Sequence, residues 1–190
     1  MKRICVFCGS SPGKDARYMD GAKQLGRAIA GNKCGLVYGG SNVGLMGAVA
    51  DTVMEAGGEV VGIIPKSFAD LVSHPGLTRL HVVDSMHERK TMMFELSDAF
   101  VALPGGFGTL EEILEVLTWA QLGFHGKPCG LINVGGYFDS LLMFLEHAIA
   151  EGFIKRAHLD MLLVSDNPVD LLMRMESYRA PEVGKWPDSV

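Results

Sequence analysis

No stretch of this 190-residue chain stays apolar long enough to span a membrane. The opening Lys2-Arg3-Ile4-Cys5-Val6-Phe7-Cys8 is also too short an apolar run for a signal peptide before it reaches Gly9 and Ser10. A soluble, cytoplasmic protein with no membrane partner is therefore expected. Basic residues are outnumbered, 17 against 22 acidic, which gives a formal charge of -5, and they form no cluster. That weighs against nucleic acid as a partner, although a small nucleotide needs only local positive charge. Cysteine is scarce: Cys5, Cys8, Cys34 and Cys129 sit in a chain large enough to fold without crosslinks, so free thiols are expected. Cys5 and Cys8 have knuckle spacing, but in a strand their side chains point to opposite faces. Neither Cys34 nor Cys129 has a His or Cys at ligand spacing, and the histidines are scattered, so no metal site is expected. Two nucleotide fingerprints are missing as well: Gly-x-Gly-x-x-Gly, and a glycine loop running into Lys-Ser/Thr. The chain is neither an obvious dehydrogenase nor an obvious ATPase.

What is present is a core. Hydrophobic residues make up 48% of the chain, and no linker-like stretch divides it, so a single domain over residues 1–190 is expected. Apolar runs predict strands near 2–8, 34–38, 59–64, 79–84, 99–103, 128–133 and 159–164. Helical periodicity predicts helices over 14–31, 43–56, 86–97, from 108 onward, 137–150 and 168–178, and the connection through Pro65 and Pro75 reads as irregular. Strands that alternate with helices across short connections define an α/β protein: a doubly wound parallel sheet with helices on both faces. Such sheets bind ligands outside the carboxyl ends of their strands.

Glycines gather at four predicted strand exits: Gly9-Ser10, Gly39-Gly40-Ser41-Asn42-Val43-Gly44, Gly62 to Pro65, and Gly105 to Gly108. The last is the most informative. In Pro104-Gly105-Gly106-Phe107-Gly108-Thr109-Leu110-Glu111-Glu112 a buried strand becomes a helix, and glycines let backbone approach an anion while the unpaired amides of the first helical turn donate to it. The competing reading is a plain turn capped by Thr109. Met86-His87-Glu88-Arg89-Lys90 opens another helix at the same edge, where Arg89 offers a planar fork and Lys90 a mobile charge, or where both form a solvated surface pair. Glu111 and Glu112 diverge by about a hundred degrees, so only one need face a ligand, and periodicity leaves open which. A carboxylate there can also be explained by the helix dipole.

These segments resemble the Lonely Guy family, the cytokinin riboside 5'-monophosphate phosphoribohydrolases once mislabelled lysine decarboxylases. The glycine turn matches the signature Pro-Gly-Gly-x-Gly-Thr-x-x-Glu, Met86 to Lys90 is similar to the second signature, and Tyr38 to Gly47 to an early glycine-rich segment. The likeness runs from Val6-Phe7-Cys8-Gly9-Ser10 to Lys185-Trp186, and departs mildly at Ser41, where the family often has glycine.

The resemblance implies a Rossmann-like three-layer α/β/α fold, a homodimer, no cofactor, and hydrolysis of the N-glycosidic bond of a purine nucleoside 5'-monophosphate, AMP or an N6-substituted relative. It assigns catalysis to Arg89 and Glu112. The nucleotide-binding turn falls on Gly106, Phe107, Gly108, Thr109, Leu110 and Glu111, with Gly105 before it. Lys90 and Thr118 fall among the substrate contacts, and the exits at Gly9, Ser10, Gly39 and Gly40 complete the expected site. The alternative is a non-catalytic nucleotide-binding regulatory or carrier protein. A lysine decarboxylase is a poorer reading, because Lys14, Lys66 and Lys90 lack the context of a pyridoxal-phosphate lysine. Met92-Met93-Phe94 and Trp119-Ala120-Gln121-Leu122 supply apolar surface that either covers a second subunit or completes the monomer core.

Overall fold

The structure, a computed structural model, describes residues 1–181, so the resemblance at Lys185-Trp186 lies outside the described residues. Seven parallel strands run β1 (Arg3–Phe7), β2 (Gly35–Tyr38), β3 (Val60–Pro65), β4 (Arg79–Val83), β5 (Ala99–Ala102), β6 (Cys129–Ile132) and β7 (Leu162–Ser165). They lie in the order β4-β3-β2-β1-β5-β6-β7. The chain builds outward from β1 to β4, then crosses back to start the other half at β5. The strand order therefore reverses between β1 and β5, which pair in register from Ile4–Ala99 to Phe7–Ala102.

Alternation along β1 explains the layers. Ile4, Val6 and Cys8 face one core with α1 (Ala16–Gly31), α2 (Gly44–Glu55) and α8 (Pro168–Ser177), while Cys5 and Phe7 face the other. The second face is covered by α4 (Met86–Glu95), α5 (Phe107–Gln121) and α6 (Asp139–Ala150). Cys5 and Cys8 accordingly lie on opposite faces of the sheet. Among the described residues no helix is long and apolar enough to cross a membrane.

Three expectations are corrected. The connection after β3 holds a helix, α3 (Lys66–Val72), whose Phe68, Leu71 and Val72 have helical spacing but span only seven residues between Pro65 and Pro75, too short a run to read as a helix, and it buries none of its residues. The strand expected at 159–164 is split: α7 (Arg156–Leu159) turns first, and β7 begins only at Leu162. Gly62 to Pro65 is not an exit but lies inside β3, where Gly62 pairs with Tyr38 and Leu80. A side chain at Gly62 would meet the Gly40 Cα at 2.8 Å, so that glycine serves close packing beneath the second glycine turn. Of the apolar residues left open between core and interface, Met93 is buried, and Phe94 stacks on Phe100 and meets Trp119 edge-on at 5.0 Å, so these three pack against the core of the chain, Phe94 and Trp119 only half-buried.

Helices α1 and α2 touch through Gly26, where a Cβ would lie 2.8 Å from Thr52 Cβ and 3.0 Å from Val49 O. Alanine would gain about 1 kcal/mol of helix propensity but overpack this contact at a cost of about 1–3 kcal/mol. We predict that Gly26→Ala lowers the urea midpoint; an unchanged or raised midpoint would show that the two helices can move apart freely.

Candidate active site

The β1 and β5 exits meet where the strand order reverses. Gly9 N–H donates to Pro104 O at 3.0 Å, and Gly9 O accepts from Leu45 N–H at 3.1 Å, so the first exit bridges the glycine turn and the start of α2. Close approach requires the small residues: a Cβ on Gly9 would sit 3.3 Å from Gly105 Cα, and one on Gly105 would collide with Thr109. Gly40 takes the positive φ of the second turn, 75°, so Ser41 adopts no left-handed backbone and the departure at that position carries no strain.

Helix starts at this edge differ in how they are finished. Asp15 caps α1 by accepting from Arg17 N–H, and Ser85 caps α4 by accepting from Glu88 N–H at 3.1 Å. Gly106 caps α5 with no side chain, and Thr109 is buried in the first turn against Gly105, which removes the reading of a threonine cap. The open amide end of α5 can therefore accept an anion. Side chains at Gly106 or Gly108 would meet nothing within 4 Å, so no part of the described chain explains why these two residues are small.

Arg89 and Glu112 face each other across α4 and α5. Arg89 Nη1 donates to Glu112 Oε1, and Nε donates to Ile63 O at 3.2 Å near the end of β3. Both side chains are nearly enclosed, at 12% and 11% exposure. Gly39 makes room: a Cβ there would lie 2.4 Å from Arg89 Nη2. No other hydrogen bond from the described residues reaches the Glu112 carboxylate, which leaves Oε2 for a hydroxyl or water. Lys90 turns to the neighbouring face, where Glu111 and Glu115, one turn apart, both hold its ammonium. The two adjacent glutamates are thus separated by role, Glu112 inward to Arg89 and Glu111 outward to Lys90.

Most of the expected residues converge. Gly9, Gly39, Gly105, Arg89 and Glu112 lie in direct contact or one step apart, with Gly40 beneath them and Gly106, Phe107, Gly108 and Thr109 at the open helix start. Ser10 lies against Gly44, and Leu110 N–H closes the first helical bond to Gly106 O. Thr118 lies six residues, about 9 Å, beyond Glu112 along α5, with its hydroxyl bonded to Leu114 O. Tyr137 was missed. Its hydroxyl donates to Gly105 O at 2.6 Å, and the signal was Gly135-Gly136-Tyr137 directly after β6, one more glycine-bearing exit at the same edge. A separate concavity of about 240 Å³ lies at the far end of α5, lined in part by His125, Met161 and Tyr178. Both His125 ring nitrogens are already bonded, to Val116 O and Lys127 N–H, so the chemistry belongs at the glycine edge.

Fold and site together define a doubly wound α/β protein whose buried Arg–Glu pair stands beside an uncapped, glycine-lined helix start at the strand-order reversal. The chain belongs to the Lonely Guy family, whose profile, described as "Possible lysine decarboxylase", matches residues 46–175. The cytokinin riboside 5'-monophosphate phosphoribohydrolase of Rhodococcoides fascians is 54% identical over 158 residues, 82% of this chain and 80% of that protein. A probable enzyme of the same name from Oryza sativa subsp. japonica is 49% identical over 178 residues, 93% of this chain and 78% of that one. Among solved structures, the molybdenum cofactor binding protein of Rippkaea orientalis superposes with a TM-score of 0.71 at 24% identity, covering 93% of this chain and 97% of its own, a likeness of fold.

Burial raises the Glu112 carboxyl above its ordinary range, and the attraction of Arg89 offsets this only in part. A raised folded-state value means that the native protein keeps this proton to higher pH than the unfolded chain does. Its contribution to stability is then present below the unfolded carboxyl value of about 4.3 and is lost as pH rises through the folded value. Glu112→Gln has no such ionisation. We predict that its stability relative to wild type increases from about pH 4 to about pH 7 in urea titrations; a constant difference would mean that Glu112 titrates normally.

Proposed function

We propose that this protein hydrolyses the N-glycosidic bond of purine nucleoside 5'-monophosphates, N6-substituted cytokinin riboside monophosphates and AMP, to the free base and ribose 5-phosphate. The observation that carries this reading is the Glu112–Arg89 pair one and a half helical turns beyond an uncapped, glycine-lined helix start. Five residues of helix rise separate Phe107 from Glu112, about 7.5 Å, comparable to the span from a 5'-phosphate to the anomeric carbon of its ribose. With the phosphate on the α5 amides, the anomeric carbon comes beside Glu112.

Departure of the base leaves positive character on that carbon and its ring oxygen. A carboxylate fixed beside it stabilises the charge and orients water, whose oxygen bonds to the carbon as the bond to the purine nitrogen breaks; of the two water protons one stays on the new hydroxyl and the other balances the charge of the departing base. Glu112 fills this role because Arg89 holds one oxygen and leaves the other for a ribose hydroxyl or water. Arg89 in turn cannot wander, since Ile63 O and Gly39 fix its guanidinium from the far side. The names of the relatives at 49% and 54% identity support a phosphoribohydrolase.

Two other readings fit less well. A carrier needs an anion-binding turn but has no use for a desolvated carboxylate next to it. A lysine-based decarboxylase needs a neutral amine. Asp84, at 2.5 Å, raises the Lys66 ammonium above its ordinary value. For Lys90, burial pulls downward, but Glu111 and Glu115 together outweigh it and hold the ammonium charged.

The deciding experiment incubates purified protein with isopentenyladenosine 5'-monophosphate, AMP and adenosine and identifies the products. Base should be released from the monophosphates and far more slowly from adenosine, because the nucleoside lacks the anchored group whose binding orients the ribose. Equal efficiency on AMP and adenosine would remove the phosphate anchor. In the same assay, folded Glu112→Gln should lose on the order of a hundredfold or more in kcat, and near-normal turnover would remove the assignment.

The site is also proposed to work within a homodimer. Phe107 is 94% exposed at the mouth, and Leu110, Leu114 and Leu117 form a half-buried stripe running along α5 from it. Light scattering at assay concentration should report twice the monomer mass, and a fully active monomer would exclude a subunit contribution.

A further inference from the structure

Three successive carbonyls lead into α5, and each is held by a different partner. Pro104 O accepts from Gly9 N–H at 3.0 Å, and Gly106 O accepts from Leu110 N–H at 3.1 Å as the first bond of the helix. Gly105 O, between them, is held by a side chain, the hydroxyl of Tyr137 at 2.6 Å. The peptide that this carbonyl belongs to joins two glycines. It is the one least restrained by its own sequence, because neither neighbour has a Cβ to resist rotation of the plane.

In a trans peptide, C=O and N–H point in opposite directions. Fixing Gly105 O toward Tyr137 therefore aims Gly106 N–H away from it, and sets the angle at which the chain enters the uncapped turn of α5. The loop after β6 is shaped to present this hydroxyl. Gly135 and Gly136 take φ of 58° and 75°, and Asn133 ties the loop by accepting from Phe138 N–H at 2.8 Å and donating to Asp139 at 2.7 Å. The Tyr18 ring from α1 meets the Tyr137 ring edge-on at 5.6 Å, and Gly13, with φ of 75°, leaves the space in which the Tyr18 ring lies. Tyr137 itself is 41% exposed, so core burial does not account for this frame.

We infer that Tyr137 is a positioning residue whose hydroxyl locks the Gly105–Gly106 peptide plane and so holds the amide end of the glycine turn in its phosphate-accepting orientation. The inference rests on the nucleotide reading given above for the identity of the anion. Without the lock, only part of the population presents the turn correctly, and apparent affinity falls in proportion to that fraction.

The test compares wild type with Tyr137→Phe, which removes one oxygen. Turnover of isopentenyladenosine 5'-monophosphate by wild type tests the nucleotide reading by itself. In the variant, KM for that substrate and the inhibition constant of ribose 5-phosphate should rise together by about three- to tenfold, the weight of one hydrogen bond. The kcat should stay within about twofold, adenosine turnover should not move, Tm should fall by no more than about 4 °C, the weight of the same hydrogen bond, and the phosphate-dependent advantage should shrink by the same factor as KM rises. In ligand-free protein, 15N spectra should show the Gly106 amide exchanging or broadening in Tyr137→Phe while the later α5 amides are unchanged. That arm judges the lock even if wild type turns over no nucleotide. Unchanged constants with an unchanged Gly106 signal would overturn the inference. So would an equal loss on adenosine, or a lower Tm without a change in KM.

Discussion

Much of this molecule's local architecture is arranged around one enclosed ion pair, Arg89 with Glu112. Removing two charges from water is costly, and a buried pair of this kind can often be replaced by apolar residues without loss of stability. The pair is therefore poorly explained as a device for folding. Four elements nevertheless converge to keep it: β2 ends in Gly39, which leaves space for the guanidinium, β3 offers the Ile63 carbonyl, and α4 and α5 supply the charges. Arg89 gains a second, independent hold, and Glu112 keeps an oxygen unspent. Both outcomes fix the orientation of a carboxyl group that has little water around it.

The remaining charges at this edge are distributed so as not to compete. Lys90, adjacent to Arg89 in sequence, is taken up by Glu111 and Glu115 on the outer face. Asp15 and Glu88 place carboxylates at the starts of α1 and α4, while α5 begins with an uncapped glycine. The start of α2 also lacks a side-chain cap, but its Leu45 N–H is already given to Gly9 O, so the glycine-lined start of α5 is the more open of the two, and it offers backbone amides and not a cluster of cations. Under the proposed function, a chain of net charge -5 would hold a phosphate on such amides without a basic surface.

Most of the sheet was legible because buried parallel strands read as short continuous apolar runs, and the helices between them because of their periodicity. Legibility failed where that signal was absent or ambiguous. Helix α3 buries nothing and is only seven residues long, too short for the spacing of Phe68, Leu71 and Val72 to stand out; Gly62 looked like an exit because glycine marks turns and close packing alike. Met93 and Phe94 showed the same ambiguity, since an apolar pair reads identically whether it faces a core or a partner.

By itself the sequence determined the parallel α/β order, the glycine turn as the ligand edge, and, through its resemblance, the nomination of Arg89 and Glu112. These are local properties: periodicity, turn chemistry and ordered motifs are written over a few residues at a time. Tertiary structure decided which glutamate faces inward, why Gly39 must lack a side chain, that Lys90 is already paired, and that Tyr137 holds Gly105. Each of those facts joins residues between 21 and 50 positions apart, and only the path of the sheet, with its reversal between β1 and β5, sets such distances.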